Sequence, residues 1–272
     1  MGLALEEKVE NPDDSQVVLV EQQVQNGLAE IIGMTMEPNS NLDSLKTPES
    51  TWQKVLAKFL AVEFSMVPIA IFLIYLFELP NSGDLAGQLL GQDSWIASTV
   101  YGMLSTVPLL ALFVLSELCG PYWKPFRNLR ELVMTKLMPV IRGIPMWGLL
   151  LISVGAGFGE EWLFRGFLQQ LVKSWLGTDV VCWPAVLILA LLFGACHAIS
   201  KTYFVVTFLI GLYFGYLVEL TGSVLPAAFS HASYDFVALV YLTNVDSKLH
   251  RQEVREVLED DDPVNLEMET VD

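Results

Sequence analysis

Six apolar runs follow one another between residues 59 and 242, each close to the roughly 20 residues that cross a ~30 Å hydrocarbon core. They cover about 59–79, 95–115, 145–171, 180–198, 203–220 and 224–242. This pattern predicts an all-α, polytopic transmembrane helix bundle of about six spans. Between the second and third runs, GPYWKPFRNLRELVMTKLMPVIRG breaks the pattern. It is basic, and over 126–141 its apolar positions recur at helical spacing, which predicts an amphipathic helix along the membrane surface. Residues 1–50 are rich in Gln, Asn, Asp, Glu and Ser, with VVLV at 17–20 and IIGM at 31–34 as their only short apolar runs. Such a stretch buries too little to offset its ordering entropy, beyond a short amphipathic helix around 17–32. The chain thus divides into an acidic disordered tail (1–50), membrane spans with the basic connector (51–144), a membrane core (145–245) and a second acidic disordered tail (246–272). No internal repeat is visible.

Composition sharpens this reading. Hydrophobic residues make up 53% of the 272 positions and charged ones 17%, against about 25% charged in a soluble domain. The formal net charge of -16 belongs to the tails: 1–50 hold ten acidic and two basic residues, 246–272 ten and three, and the remainder eleven and ten. MGLALEEKVE has no basic n-region, so the first membrane helix is the expected targeting signal, and Met1-Gly2 lacks the Ser or Thr that follows in myristoylated chains. Lys54 and Lys58 precede the first run, and Lys124, Arg127, Arg130, Lys136 and Arg142 lie in the connector. The positive-inside rule then places both termini in the cytoplasm of a chain in the cell (inner) membrane. Lys173 disagrees, because six simple crossings leave it outside. Cys119, Cys182 and Cys196 have no paired spacing, so no disulfide framework is expected.

An ionisable side chain inside a membrane segment costs at least ~2.5 to 3.5 kcal/mol on insertion scales and marks a functional candidate. The third run holds Glu160, Glu161 and Arg165. Glu161 and Arg165, four apart, share a helix face and can pair, whereas Glu160 points about 100° away and is surplus to charge balance. The fourth run ends in FGACHAIS, where Phe193 can pack on His197. The sixth carries SHASYDF, which puts His231 and Asp235 on one face, the carboxylate orienting the imidazole or binding with it. His250 falls in the acidic tail and is expected to be solvated. Gly155, Gly157, Gly159, Gly166, Gly194, Gly211 and Gly215 surround these residues, for close helix packing or to admit a substrate backbone. One carboxylate base, two imidazoles and a further carboxyl can together activate water and stabilise an oxyanion. The rival readings are a bundle knitted by these charges in a non-catalytic immunity or partner-binding protein, and a proton- or ion-coupled transporter. HExxH, CxxC, phosphate-loop, dinucleotide and basic nucleic-acid patterns are all missing, so no nucleotide or nucleic-acid partner is expected. Helix rise puts Glu160 about 22 Å along its run from Pro145, with His197 near the far end of the next. Straight helices would not bring them to one level, so tilt or a shifted boundary is expected.

EExxxR at Glu160, Glu161 and Arg165, FxxxH at Phe193 and His197, and HxxxN/D at His231 and Asp235 lie in order on successive runs. This arrangement resembles the CPBP family, the CAAX-prenyl-protease and bacteriocin-processing membrane peptidases also called Abi proteins. The resemblance covers about 145–243. It implies hydrolysis of a membrane-associated peptide or protein substrate, with Glu160 and His197 activating water and His231 and Asp235 at the oxyanion or at a metal. Glu161, Arg165 and Phe193 are then supporting residues. Asp235 stands where Asn is commoner. Asn donates to an oxyanion through its amide, but an ionised Asp only accepts. Asp235 must therefore be protonated, orient His231 or ligate a cation; no metal is required, and a divalent ion such as Zn²⁺, if present, would take Glu160, His197, His231 and Asp235.

Overall fold

The computed structural model describes residues 49–79, 95–177 and 182–260, which belong to one unit spanning Pro48–Asp272. Helices account for nearly all of them, with no strand among the described residues. Long apolar stretches have no other way to satisfy backbone hydrogen bonds in lipid. α1 (Glu49–Leu76) and α2 (Trp95–Cys119) each carry an internal proline, Pro68 and Pro108. α3 (Lys124–Leu132) leads through a π-helical stretch, Val133–Leu137, into α4 (Met138–Ile141). The chain turns at Gly143, whose positive φ of 82° suits glycine, and enters α5 (Met146–Glu161) behind Pro145. A second π-helical stretch, Trp162–Gln169, continues α5 into α6 (Gln170–Leu176). α7 (Trp183–Cys196), α8 (Lys201–Thr221) and α9 (Leu225–Asp260) follow. Ser200 caps α8 by accepting a hydrogen bond from the Tyr203 N–H.

α5 lies between α1 and α9; α9 is covered on another side by α2, and α7 packs on both α8 and the second π-helical stretch. Small residues make the central contacts close. A methyl on Gly157 would stand 2.7 Å from the Ala228 carbonyl oxygen of α9, and one on Gly159 would overlap the Glu63 carbonyl of α1. Packing is thus the use these glycines have, and it sets α5 in the middle of the bundle.

The six runs all become helices, but they differ in length and apolarity. Among the described residues, three helices are long and apolar enough to cross a membrane, Trp52–Leu76, Trp95–Cys119 and Lys201–Thr221, or up to four if a bent pair counts as one. That pair is Lys124–Ile141 with Met146–Leu176, bent by 112°. The bend sets the amphipathic connector, which exposes Lys124, Arg127 and Lys136, across the following helix. α7, at 14 residues, is only about 21 Å long and too short to cross alone. α9 loses apolarity to His231 and Asp235 in its early turns.

A second correction concerns the C-terminal boundary. α9 continues past residue 245 to Asp260, so 246–260 is helical rather than a disordered tail. Asp246 explains part of this, since its two carboxylate oxygens take a bidentate pair from Arg142 at 2.8 and 2.9 Å. The expectations for 1–48, the 80–94 loop and 261–272 fall outside the described residues. Lys173, awkward for the positive-inside count, is held 2.7 Å from Glu219, which also accepts from Gln169 at 3.1 Å. Its charge is therefore matched within the bundle.

Because Gly159 meets backbone and not a flexible side chain, Gly159→Ala is expected to push α1 off α5 and lower stability by about 1–3 kcal/mol. Thermal unfolding in detergent, compared with the wild-type chain and an exposed Leu118→Ala control, checks this.

Candidate active site

Arg165 is fully buried, and its surroundings account for that. Its guanidinium donates to Glu161 Oε1 at 2.9 Å and to the Gly211 carbonyl of α8 at 3.1 Å. Phe193, Phe214 and Phe164 surround it with ring centroids 4.5, 5.6 and 5.7 Å from Cζ. A charge this deep persists only when paired and hydrogen-bonded, and the aromatic faces add cation–π attraction. The i,i+4 pair expected from the sequence forms, although Arg165 sits in the π-helical stretch; such stretches recur at functional sites.

Glu161 has a second duty that the sequence did not reveal. The same Oε1 accepts from His231 Nδ1 at 2.9 Å, across 70 residues. On its other side His231 Nε2 faces Asp235 Oδ2 at 3.4 Å, the i,i+4 contact expected on α9. Phe214 stacks on the ring with centroids 5.0 Å apart and planes at 23°. The His231 imidazole is thus clamped at both nitrogens and on one face.

Glu160 turns the other way, toward His197, with Oε2 and Nε2 3.8 Å apart. His197 follows the last turn of α7, and its Nδ1 lies 2.8 Å from the Phe193 carbonyl. A carbonyl only accepts, so Nδ1 carries a proton and Nε2 is the nitrogen turned to Glu160. The Phe193 ring packs 4.5 Å from His197, as expected, and 6.2 Å from His231, so it spaces the two imidazoles. The difficulty of levels disappears because α7 is short and His197 lies beyond its end. Both side chains keep some access, 13% for Glu160 and 26% for His197.

The ligand set of Glu160, His197, His231 and Asp235 does not assemble around one point. No group of three or more His, Cys, Asp or Glu is arranged to hold a metal among the described residues, and both His231 nitrogens already face carboxylates. As they stand in this structure, the donors are not gathered around a common metal position.

The motifs leave out Glu63 of α1, although it too is an acidic residue in an apolar run. Its Oε2 is buried without a hydrogen-bond partner, as is that of Glu160.

Glu161→Gln removes the carboxylate that pairs with Arg165 among the described residues and leaves a buried cation poorly matched, so a loss of about 3–5 kcal/mol is expected. Thermal unfolding followed by tryptophan fluorescence reads it, and Arg165→Met added to Glu161→Gln should restore part of the loss.

Residues 142–237 match the family model described as Rce1-like, type II CAAX prenyl endopeptidase Rce1-like. The match contains Glu160, Glu161, Arg165, Phe193, His197, His231 and Asp235, and leaves out α1 and α2. No curated protein and no solved structure matches the chain. The match falls on the CAAX-endopeptidase side of the CPBP resemblance and lends nothing to bacteriocin processing. Residues 142–237 are therefore similar to the Rce1-like domain, consistent with the CPBP intramembrane peptidases, and this likeness supports a membrane endopeptidase at the level of the family.

Proposed function

We propose that this chain hydrolyses a peptide bond of a membrane-associated or prenylated peptide, using a water activated by Glu160 and His197. The observation that carries the reading is the approach of the Glu160 carboxylate to His197 Nε2 at 3.8 Å, within a site otherwise locked by buried contacts. That separation exceeds a direct hydrogen bond and suits two acceptors sharing one water. Glu160 takes a proton as the water oxygen attacks the carbonyl carbon, and His197 holds the water through its Nε2 lone pair. Oxyanion stabilisation falls to the doubly protonated imidazole of His231, which gives Nδ1–H to Glu161 and offers Nε2–H beside Asp235, 3.4 Å away. Glu161, anchored by Arg165, keeps the Nδ1 proton in place, and Asp235 aligns Nε2. In this role Asp235 orients an imidazole and need not donate, which accommodates its departure from Asn.

Comparative peptide mass spectrometry of membranes carrying the wild-type chain or Glu160→Gln tests the reading. Peptides released by the wild type and lost with Glu160→Gln are expected; an active Glu160→Gln chain removes the catalytic assignment and returns the transporter and partner-binding readings.

Asp235→Asn separates metal-free from metal-dependent hydrolysis, since the change is isosteric and removes only charge. We expect it to retain activity and to resist EDTA. A folded Asp235→Asn chain whose lost activity returns with added Zn²⁺ would instead establish a cation at the site.

A further inference from the structure

We propose that Glu63, outside the matched domain, is the acid partner of Glu160: the two carboxyls hold one proton between them, and Glu63 delivers it to the amine released from the scissile bond. The inference rests on the peptidase reading above and adds a residue from α1 to it.

Placement is the first support. α1 crosses α5 over Gly155 and Gly159, one turn apart. A methyl on Gly155 would stand 3.0 Å from Glu63 Cβ, and one on Gly159 would overlap the Glu63 carbonyl. The two glycines seat residue 63 against the turn of α5 that ends in Glu160. From Phe59 onward α1 reads FLAVEFSMVPIAIFLIYL, with Glu63 as its one acidic or basic side chain. A packing residue at this position would be apolar.

Satisfaction of polar atoms is the second. Glu161 is matched by Arg165 and His231, and Asp235 faces His231. Glu63 and Glu160 each keep Oε2 buried with no hydrogen-bond partner. Within electrostatic range of Glu63 are Glu160 of α5, His231 and Asp235 of α9, and His197 after α7. Two carboxylates in one low-dielectric site do not both ionise at tolerable cost. A single proton removes one charge and supplies the donor that both Oε2 atoms lack. The pair then titrates as a unit.

The step balances. Ionised Glu160 takes a proton from water as the water oxygen bonds to the carbonyl carbon. When the C–N bond breaks, Glu63 gives its proton to the nitrogen. The proton on Glu160 then passes to Glu63, both groups are restored, and a carboxylic acid and an amine depart.

Two measurements on the full chain test this. Infrared spectroscopy in detergent at neutral pH reads protonated carboxyls through their C=O stretch. We expect a band in the wild type that is lost in Glu63→Gln, and an unchanged band overturns the shared proton. In membranes, the release of Glu160-dependent peptides should slow about 10²-fold or more in Glu63→Gln and recover in part in Glu63→Asp, with thermal unfolding unchanged. Release at the wild-type rate from Glu63→Gln overturns the proton delivery while leaving the peptidase reading intact. Identical release from wild type and Glu160→Gln overturns the peptidase reading and the delivery with it, and the infrared band alone then judges the shared proton.

Discussion

A fully buried arginine makes the rest of this structure necessary. Arg165 cannot shed its charge, so everything near it is arranged to hold a cation in low dielectric. Glu161 supplies the counter-charge, the Gly211 carbonyl takes a second donor, and three phenylalanines supply ring faces. Those partners come from the α5 segment, α7 and α8. One side chain thereby ties together the elements that carry the motif residues.

From this pair the order passes outward. Glu161, fixed by Arg165, fixes His231, and His231 meets Asp235. Phe193 covers Arg165, packs on His197 and accepts the Nδ1 proton of His197 through its carbonyl. Glu160, adjacent to Glu161 but on another face, lies outside the hydrogen-bonded chain. A carboxylate left unsatisfied beside rigid neighbours is suited to take and return a proton, because its own bonding changes little as it does so.

Close helix contact supplies the second constraint. Lipid offers no hydrophobic drive for helices to associate, so contact relies on packing, and glycine on α5 removes the side chains that would hold α1 and α9 away. The consequence is chemical as well as mechanical. With α1 seated on Gly155 and Gly159, Glu63 lies against the turn of α5 that ends in Glu160, while the recognisable motifs all lie on later helices.

Much was legible in the sequence, for local reasons. Apolar runs near membrane thickness specified helices, and i,i+4 spacing specified the Glu161–Arg165, Phe193–His197 and His231–Asp235 contacts, since helical geometry fixes which side chains share a face. The same spacing put Glu160 off the face of its neighbour. Relations between helices were not legible, because they depend on crossing angles and on where each helix stops. Only the tertiary structure decided that Glu161 reaches His231, that the short α7 brings His197 level with Glu160, that Arg142 and Asp246 extend α9 past its apolar run, and that α1 contributes Glu63. Contacts between residues 63 and 155, or 161 and 231, leave no periodic trace in the chain; they arise when glycines let backbones meet and a buried charge demands its partners.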